Sequence, residues 1–170
     1  VSADKDLSQL LQAGDEQWDY ARGLRWGAAG VKARHGVHTH QIADFLALCG
    51  DAVDNIPGVP GVGSKTAAVL LGHFGSLDAL LERVDEVAFL RLRGAATVAA
   101  RLREHRDQAL LWRRLSTIAC DAPLLDAMPP FARALADDAT LATFAEAVGL
   151  GPMTRRRLES AAATAGPPRG

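Results

Sequence analysis

With 170 residues, 48% of them apolar, the chain has material for one ordinary domain core and a small satellite lobe. The 19 Lys and Arg nearly balance the 20 Asp and Glu, so a formal net charge of −1 argues neither for nor against a polyanionic partner, and where the charges sit matters more than their sum. No apolar run approaches the roughly 20 residues that cross a bilayer and no basic-then-apolar leader is seen, which argues against a membrane partner and leads to the expectation of a soluble, cytoplasmic protein.

The opening "VSADKDLSQLL" reads as the end of a strand turning into a helix, so the chain is expected to begin mid-domain. From Asp4 to Gln12 the residues Leu7, Leu10 and Leu11 fall at helical spacing, and Gly14 supplies a stop. "WDYARGLRW" is short, aromatic and bounded by turn residues, as in a strand or hairpin. "GAAGVKARHG" and "HTHQIADFLALCGD" predict two helices, the second with Ile42, Phe45, Leu46 and Cys49 on one face and Asp44 on its flank. "SKTAAVLLGHFG" is a helix ending at Gly75, and "SLDALLERV" starts again behind Ser76, an N-cap with Asp78 in the first turn.

Between Phe89 and Ser116 a helical stretch carries seven arginines against one Glu and one Asp, so its polar side is basic and is read either as a further contact to a polyanion or as a solvated face. "TIACDAPLL" predicts a short extended piece before a loop with "MPP"; two helices, about Thr140 to Val148 and Met153 to Ala163, and a loose "GPPRG" tail complete the order. No internal repeat, low-complexity linker or second-domain boundary is evident. Cys49 and Cys120 lie in apolar contexts and are expected to be buried free thiols. The histidines at 35, 38, 40 and 73 read as surface or capping residues, and Trp18, Trp26 and Trp112 as packing.

"GDAVDNIPGVPGVGSKTAAVLL" concentrates glycine and proline just before a helix. The first turn of a helix leaves backbone N–H groups unpaired and carries partial positive charge, which favours an anion. Gly58, Gly61 and Gly63 would let a phosphate reach those amides, with Ser64, Lys65 and Thr66 adding donors. The other reading is that the glycines only turn a sharp corner between packed helices. Asp4 and Asp6 lie two apart, Asp51 and Asp54 three apart immediately before the glycines. Clustered carboxylates repel unless a cation sits among them, and oxygen-only donors favour Mg2+ or Mn2+ over zinc. Two such ions about 3.5–4 Å apart are a recurrent device for phosphodiester cleavage. Alternatively, Asp51 caps its loop and Asp4 its own helix.

Together "SADKDLSQLL", "GVHTHQIADFLALCGDAVDNIPGVPGVGSKTAAVLLGHFGSLDALL" and the later "RGAA" resemble the 5′-3′ exonuclease and flap endonuclease family, which includes the nuclease domain of bacterial DNA polymerase I. The likeness runs over roughly Val1 to Leu125 and looks closest to the stand-alone bacterial 5′-3′ exonucleases. It implies a mainly α chain: the C-terminal part of a PIN-like α/β nuclease domain (residues 1–35), a helix-three-turn-helix (helix-hairpin-helix) DNA-binding region (36–125), and C-terminal helices and tail (126–170). It places Asp4, Asp6, Asp51 and Asp54 in a metal site for two Mg2+ or Mn2+ ions. It gives Gly61, Gly63, Ser64, Lys65 and Thr66 a role in gripping DNA, with K+ as a further ion at the hairpin carbonyls. The implied activity is metal-dependent hydrolysis of DNA at 5′ ends and flaps in bacterial replication and repair, by a nucleoid-associated monomer.

Two departures stand out. The family has proline where this chain has Thr39, a residue able to cap the helix there. The family's first metal-binding acids, the basic residues that steer the scissile phosphate, and its helical arch precede the segment matching Val1, so these residues alone are expected to hold part of the metal site, to contain no catalytic group beyond metal ligands, and to be inactive. Two other readings remain. In a helix-hairpin-helix DNA glycosylase the hairpin lysine is a nucleophile, and "RVDEV" offers Asp85 but lacks the histidine of the usual setting. A non-catalytic DNA-binding module would keep only the hairpin.

Overall fold

In the computed structural model residues 1–123 and 137–163 are described. The chain divides into two compact units, Val1–Asp121 and Ala122–Gly170, a boundary that no glycine- or serine-rich linker marks in the sequence. The first unit contains a two-stranded antiparallel sheet, β1 (Gln17–Asp19) and β2 (Leu24–Trp26), in the register Gln17 to Trp26, Trp18 to Arg25 and Asp19 to Leu24. Six helices follow: α1 (Ala28–His35), α2 (Ile42–Cys49), α3 (Ser64–Phe74), α4 (Leu77–Glu82), α5 (Ala95–Glu104) and α6 (Arg106–Ser116).

The core gathers around α2. Ile42, Phe45, Leu46, Ala47 and Leu48 are all buried, so this helix is apolar nearly all round, as a central helix must be. It packs against α3 and α6, whose Leu70, Leu71 and Ala109 are fully shielded. Gly50, at φ 81°, ends α2 in a conformation that L side chains seldom adopt. Gln41 joins the core through polar bonds: its side-chain amide donates to Leu71 O at 3.1 Å and Gly75 O at 2.8 Å, closing the C-terminus of α3.

Several expectations change in three dimensions. Asp4 to Gln12 is not an α-helix; a five-residue 3-10 helix, Asp6–Leu10, occupies its centre. Gln17 reaches across from β1 to bind the carbonyls of Ser2 and Asp4, at 3.1 and 2.5 Å, which anchors the extended residues ahead of this short helix. Thr39 is not a cap: the N–H of His38 is satisfied by Gln41 Oε1 at 2.9 Å. Asp44, on the flank of the apolar face, is itself only 8% exposed and accepts from the Leu77 N–H at 2.8 Å at the start of α4. Ser76 caps α4 as expected, accepting from the Ala79 N–H at 3.2 Å.

The arginine-rich stretch is two helices rather than one, α5 and α6, behind a 3-10 helix (Val84–Phe89), with Gly94 at φ 71° opening α5 and His105 breaking it from α6. Its arginines are largely engaged within the protein: Arg103 with Asp85, Arg101 with Glu104, Arg106 with Leu81 O, and Arg113 with Asp78 at 2.5 Å and Asp44 at 3.7 Å. Cys49 is half-buried, whereas Cys120 is exposed and so departs from the expected burial; both are free thiols.

The second unit holds a helix pair. Asp137 caps α7 (Asp138–Ala147), accepting from the Thr140 N–H at 2.9 Å, and α8 (Pro152–Ala163) begins at proline, which loses nothing at a first helical position. Arg155 ties the two by donating to Ala142 O at 3.1 Å. The expected "MPP" loop and "GPPRG" tail lie outside the described residues. No helix among those described is long and apolar enough to cross a membrane.

The Asp44, Arg113 and Asp78 cluster joins α2, α4 and α6. Asp44→Ala removes the acceptor for a buried N–H, and a loss of about 1–3 kcal/mol in unfolding free energy is expected in urea melts. Asp44→Asn, whose amide oxygen can still accept from Leu77, is expected to lose less.

Candidate metal and nucleic-acid site

The glycine-rich loop is fastened to the end of α2 by backbone alone. Asp51 and Ile56 exchange N–H to O bonds at 2.8 Å in both directions, and the Val59 N–H donates to Leu48 O at 2.8 Å. A side chain on Gly50 would come within 2.6 Å of Pro57 O, and one on Gly58 within 2.6 Å of the carbonyl carbon of Cys49. Here two stretches of main chain touch where any side chain would part them. Gly58, at φ 70° and buried, thus serves the corner itself. Gly61 and Gly63 are different: nothing lies within 4 Å of where their side chains would be, and both are exposed.

No side chain caps α3, and its first intrahelical bond is Ala67 N–H to Gly63 O at 2.9 Å, which leaves the amides of Ser64, Lys65 and Thr66 ahead of the ladder. Ser64 and Lys65 are exposed and Thr66 is half-buried. The hairpin thus presents open backbone and donors on one side and close backbone packing on the other.

The acids arrive from two directions. A buried polar knot holds the first segment: Ser8 Oγ donates to Gln17 Oε1 at 2.7 Å, and the Trp26 indole N–H lies 3.4 Å from Ser8 Oγ. With Gln17 gripping the Asp4 carbonyl, Asp6 is turned toward the end of α2. One carboxylate oxygen from each of Asp6, Asp51 and Asp54 lies within 4.8 Å of the others. Asp4 stays outside this trio; it is exposed and accepts from the Asp6 N–H at 3.0 Å in a turn just ahead of the 3-10 helix, whose N-cap position is Lys5. Asp51 does both things at once, accepting from the Val53 N–H through Oδ1 at 3.0 Å while Oδ2 faces the Lys5 ammonium.

The Asp6 pKa is pushed up to about 6 by burial first, then by Asp4, Asp54 and Asp51. Its Oδ1 is buried with no hydrogen-bond partner. Burial acts to raise the Asp51 pKa too, yet Lys5, the Val53 N–H and Asp54 outweigh it and hold the group below the usual carboxylate range. An acidic trio with an orphaned oxygen and no histidine or cysteine among its donors suits a hard divalent cation.

Two clefts flank the trio. One, of about 590 Å³, is lined by Asp4, Asp54 and Val53; the other, of about 670 Å³, runs between α1, α2 and the start of α3 past Phe45, Cys49, Ser64 and Lys65. Lys5, Arg34 and His35 line both. His35 is held below its ordinary pKa by burial and by the neighbouring Arg34 and Lys5 cations, so it adds no charge at neutral pH. The sequence singled out the acids and the hairpin but passed over Lys5, Gln17 and Arg34. Lys5 lies between two of the acids and could have been found there, whereas Gln17 and Arg34 carry no local signal. Asp85, the acid a glycosylase would need, is exposed and engaged by Arg103.

Comparison with known proteins adds the following. The family model described as 5′-3′ exonuclease, C-terminal SAM fold, matches residues 37–138. DNA polymerase I of Pseudomonas aeruginosa is 47% identical over 124 residues, covering 72% of this chain and 14% of that protein. Flap endonuclease Xni of Shewanella amazonensis is 36% identical over 124 residues (73% of this chain, 46% of that protein), and the 5′-3′ exonuclease of Buchnera aphidicola, strain APS, 32% over 124 residues (73% and 43%). The identity is thus higher to that polymerase than to these stand-alone enzymes. The chain spans only about a seventh of such polymerases and less than half of the stand-alone relatives. Among solved structures, T5 5′-exonuclease with zinc bound has the same fold, at a TM-score of 0.58 and 22% identity over 68% of this chain and 41% of that one.

Two outcomes follow from the geometry. Gly58→Ala should cost about 2–4 kcal/mol or prevent folding, whereas Gly63→Ala, at φ −86° and with open space around it, should change stability by less than about 0.5 kcal/mol in denaturant melts. Because Asp6 is raised from 3.8 to about 6, its ionised form costs folding energy that is absent below pH 3.8 and fully present above 6. In EDTA at pH 8, Asp6→Asn should therefore be more stable than the native chain by on the order of 1 kcal/mol after solvent screening, the advantage fading as pH falls through 6 to 4.

Proposed function

The chain belongs to the 5′-3′ exonuclease family, and from that premise we propose that it is the portion of a divalent-metal-dependent 5′ nuclease that supplies carboxylates to the metal site and grips duplex DNA beside it. The observation that carries this reading is the approach of Asp6 to Asp51 and Asp54 across 45 residues or more of sequence, next to the open start of α3. Lys5 offsets the charge of Asp51, yet Asp6 remains raised among the acids, which supports a further cation at the cluster.

In this reading Asp6, Asp51 and Asp54 hold two Mg2+ or Mn2+ ions, with Asp4 adding negative charge from outside the trio. Such ions supply Lewis acidity and an activated water for hydrolysis of a phosphodiester. The residues of the chain do the rest. The amides of Ser64, Lys65 and Thr66 receive backbone phosphates through the gap left by Gly61 and Gly63, and the Lys65 ammonium adds a charge-assisted bond. Carbonyls of the hairpin would take a K+ ion. Since the Gly50 and Gly58 backbone contact fastens the loop that carries Asp51 and Asp54 to the hairpin, a duplex held at α3 is held at a set distance from the acids. The substrates proposed are 5′ ends and 5′ flaps of DNA, acted on by a monomer, with residues 1–35 completing a PIN-like core, 36–125 forming the DNA-binding region and 126–170 its C-terminal helices.

Calorimetric titration with Mn2+ checks the metal role: Asp51→Asn and Asp54→Asn should each weaken binding at least about 10–100-fold, the range that loss of an outer-shell partner alone produces. In the complete gene product supplied with Mg2+ and a 5′-flap duplex, Asp51→Ala and Asp54→Ala should both lose cleavage, and undiminished cleavage by the two variants would remove their assigned role. Gly63→Ala should weaken duplex binding while leaving stability unchanged, because the added methyl group would take up open space at the hairpin that the phosphate backbone is proposed to enter.

A further inference from the structure

Arg34 is a cation the sequence gives no reason to notice. It lies in the last turn of α1, is exposed, and has no carboxylate within ion-pair distance among the described residues, although the acid trio is a neighbour of the cleft it lines. Its guanidinium carbon sits 4.2 Å from the centre of the Trp26 ring. Trp26 cannot follow a wandering partner, since it is 8% exposed and its indole N–H is directed at Ser8. A guanidinium stacked on a fixed ring is restricted in orientation while its N–H edge stays free, which is the arrangement that receives a phosphate through two parallel bonds.

The surroundings narrow the choice. The arginines of α5 and α6 with internal partners are Arg101, Arg103, Arg106 and Arg113. Lys5 is engaged by Asp51. Arg34 lines both clefts, the one beside Asp54 and the one that ends at Ser64 and Lys65. We propose that Arg34 binds a backbone phosphate of the DNA strand lying between the carboxylate trio and the hairpin, as a second anchor distinct from Lys65. This rests on the nuclease reading above. One anchor at α3 would leave the strand free to pivot; a second one nearer the acids fixes which linkage is presented to them.

The test uses duplexes with a 5′ flap in which single phosphates are replaced by neutral methylphosphonates, with binding followed by fluorescence anisotropy at several salt concentrations. Arg34→Gln should weaken binding roughly 10- to 100-fold at low salt and lower the slope of log affinity against log salt by about one. One methylphosphonate position should cost the native protein affinity and cost Arg34→Gln nothing further, and that position should differ from the one coupled to Lys65→Ala. Arg34→Lys, which keeps the charge and loses the planar fork, should retain the native salt slope with intermediate affinity. If Lys65→Ala couples to a linkage and Arg34→Gln couples to none, the Arg34 assignment is overturned while the hairpin reading stands. If the native protein shows no salt-dependent affinity for DNA, the nuclease reading falls and the Arg34 assignment with it.

Discussion

Gly50 and Gly58 meet backbone to backbone, and from that contact most of the site takes its geometry. A methyl group at either position would push the loop off the end of α2, break the Val59 to Leu48 hydrogen bond, and move Asp51 relative to α3. The two glycines therefore do not serve a ligand directly. They set the separation between the acids and the start of α3, and the loop between them closes through the Asp51 to Ile56 bridge. The dense run of glycines divides its labour: Gly50 and Gly58 bring main chain together, and Gly61 and Gly63 keep main chain uncovered.

The electrostatic design sets cost against use. Asp6 is pressed among other acids with one oxygen left without a partner, a state that costs stability in the absence of a cation. Lys5 relieves Asp51 by a direct ion pair and Asp6 only weakly through its field, from a position where it also borders both clefts. Elsewhere in the same unit acids and arginines neutralise one another as ordinary structural pairs, Arg113 joining buried Asp44 to exposed Asp78. The basic composition of α5 and α6 therefore says little about DNA, and the informative cation is one that its own helix leaves unpaired.

Much of this was legible in the one-dimensional pattern. The hairpin of "WDYARGLRW", the helix stop at Gly75 and the Ser76 cap follow from local rules, because each depends on residues a few positions apart. What failed depends on partners far along the chain. The entry to Asp6–Leu10 is held by Gln17 from β1, and Asp44 is covered by the start of α4 and by Arg113 in α6.

The sequence by itself determined which residue types stand ready: acids in two pairs, a run of glycine before an uncapped helix, and the family to which that order belongs. Tertiary structure alone decided which of them meet. It drew Asp6 into the trio and left Asp4 outside, turned Gly58 inward and Gly61 outward, and stacked Arg34 on Trp26. The physical reason is that hydrogen bonding and packing between distant segments orient a side chain, and no local propensity reports on partners tens of residues away.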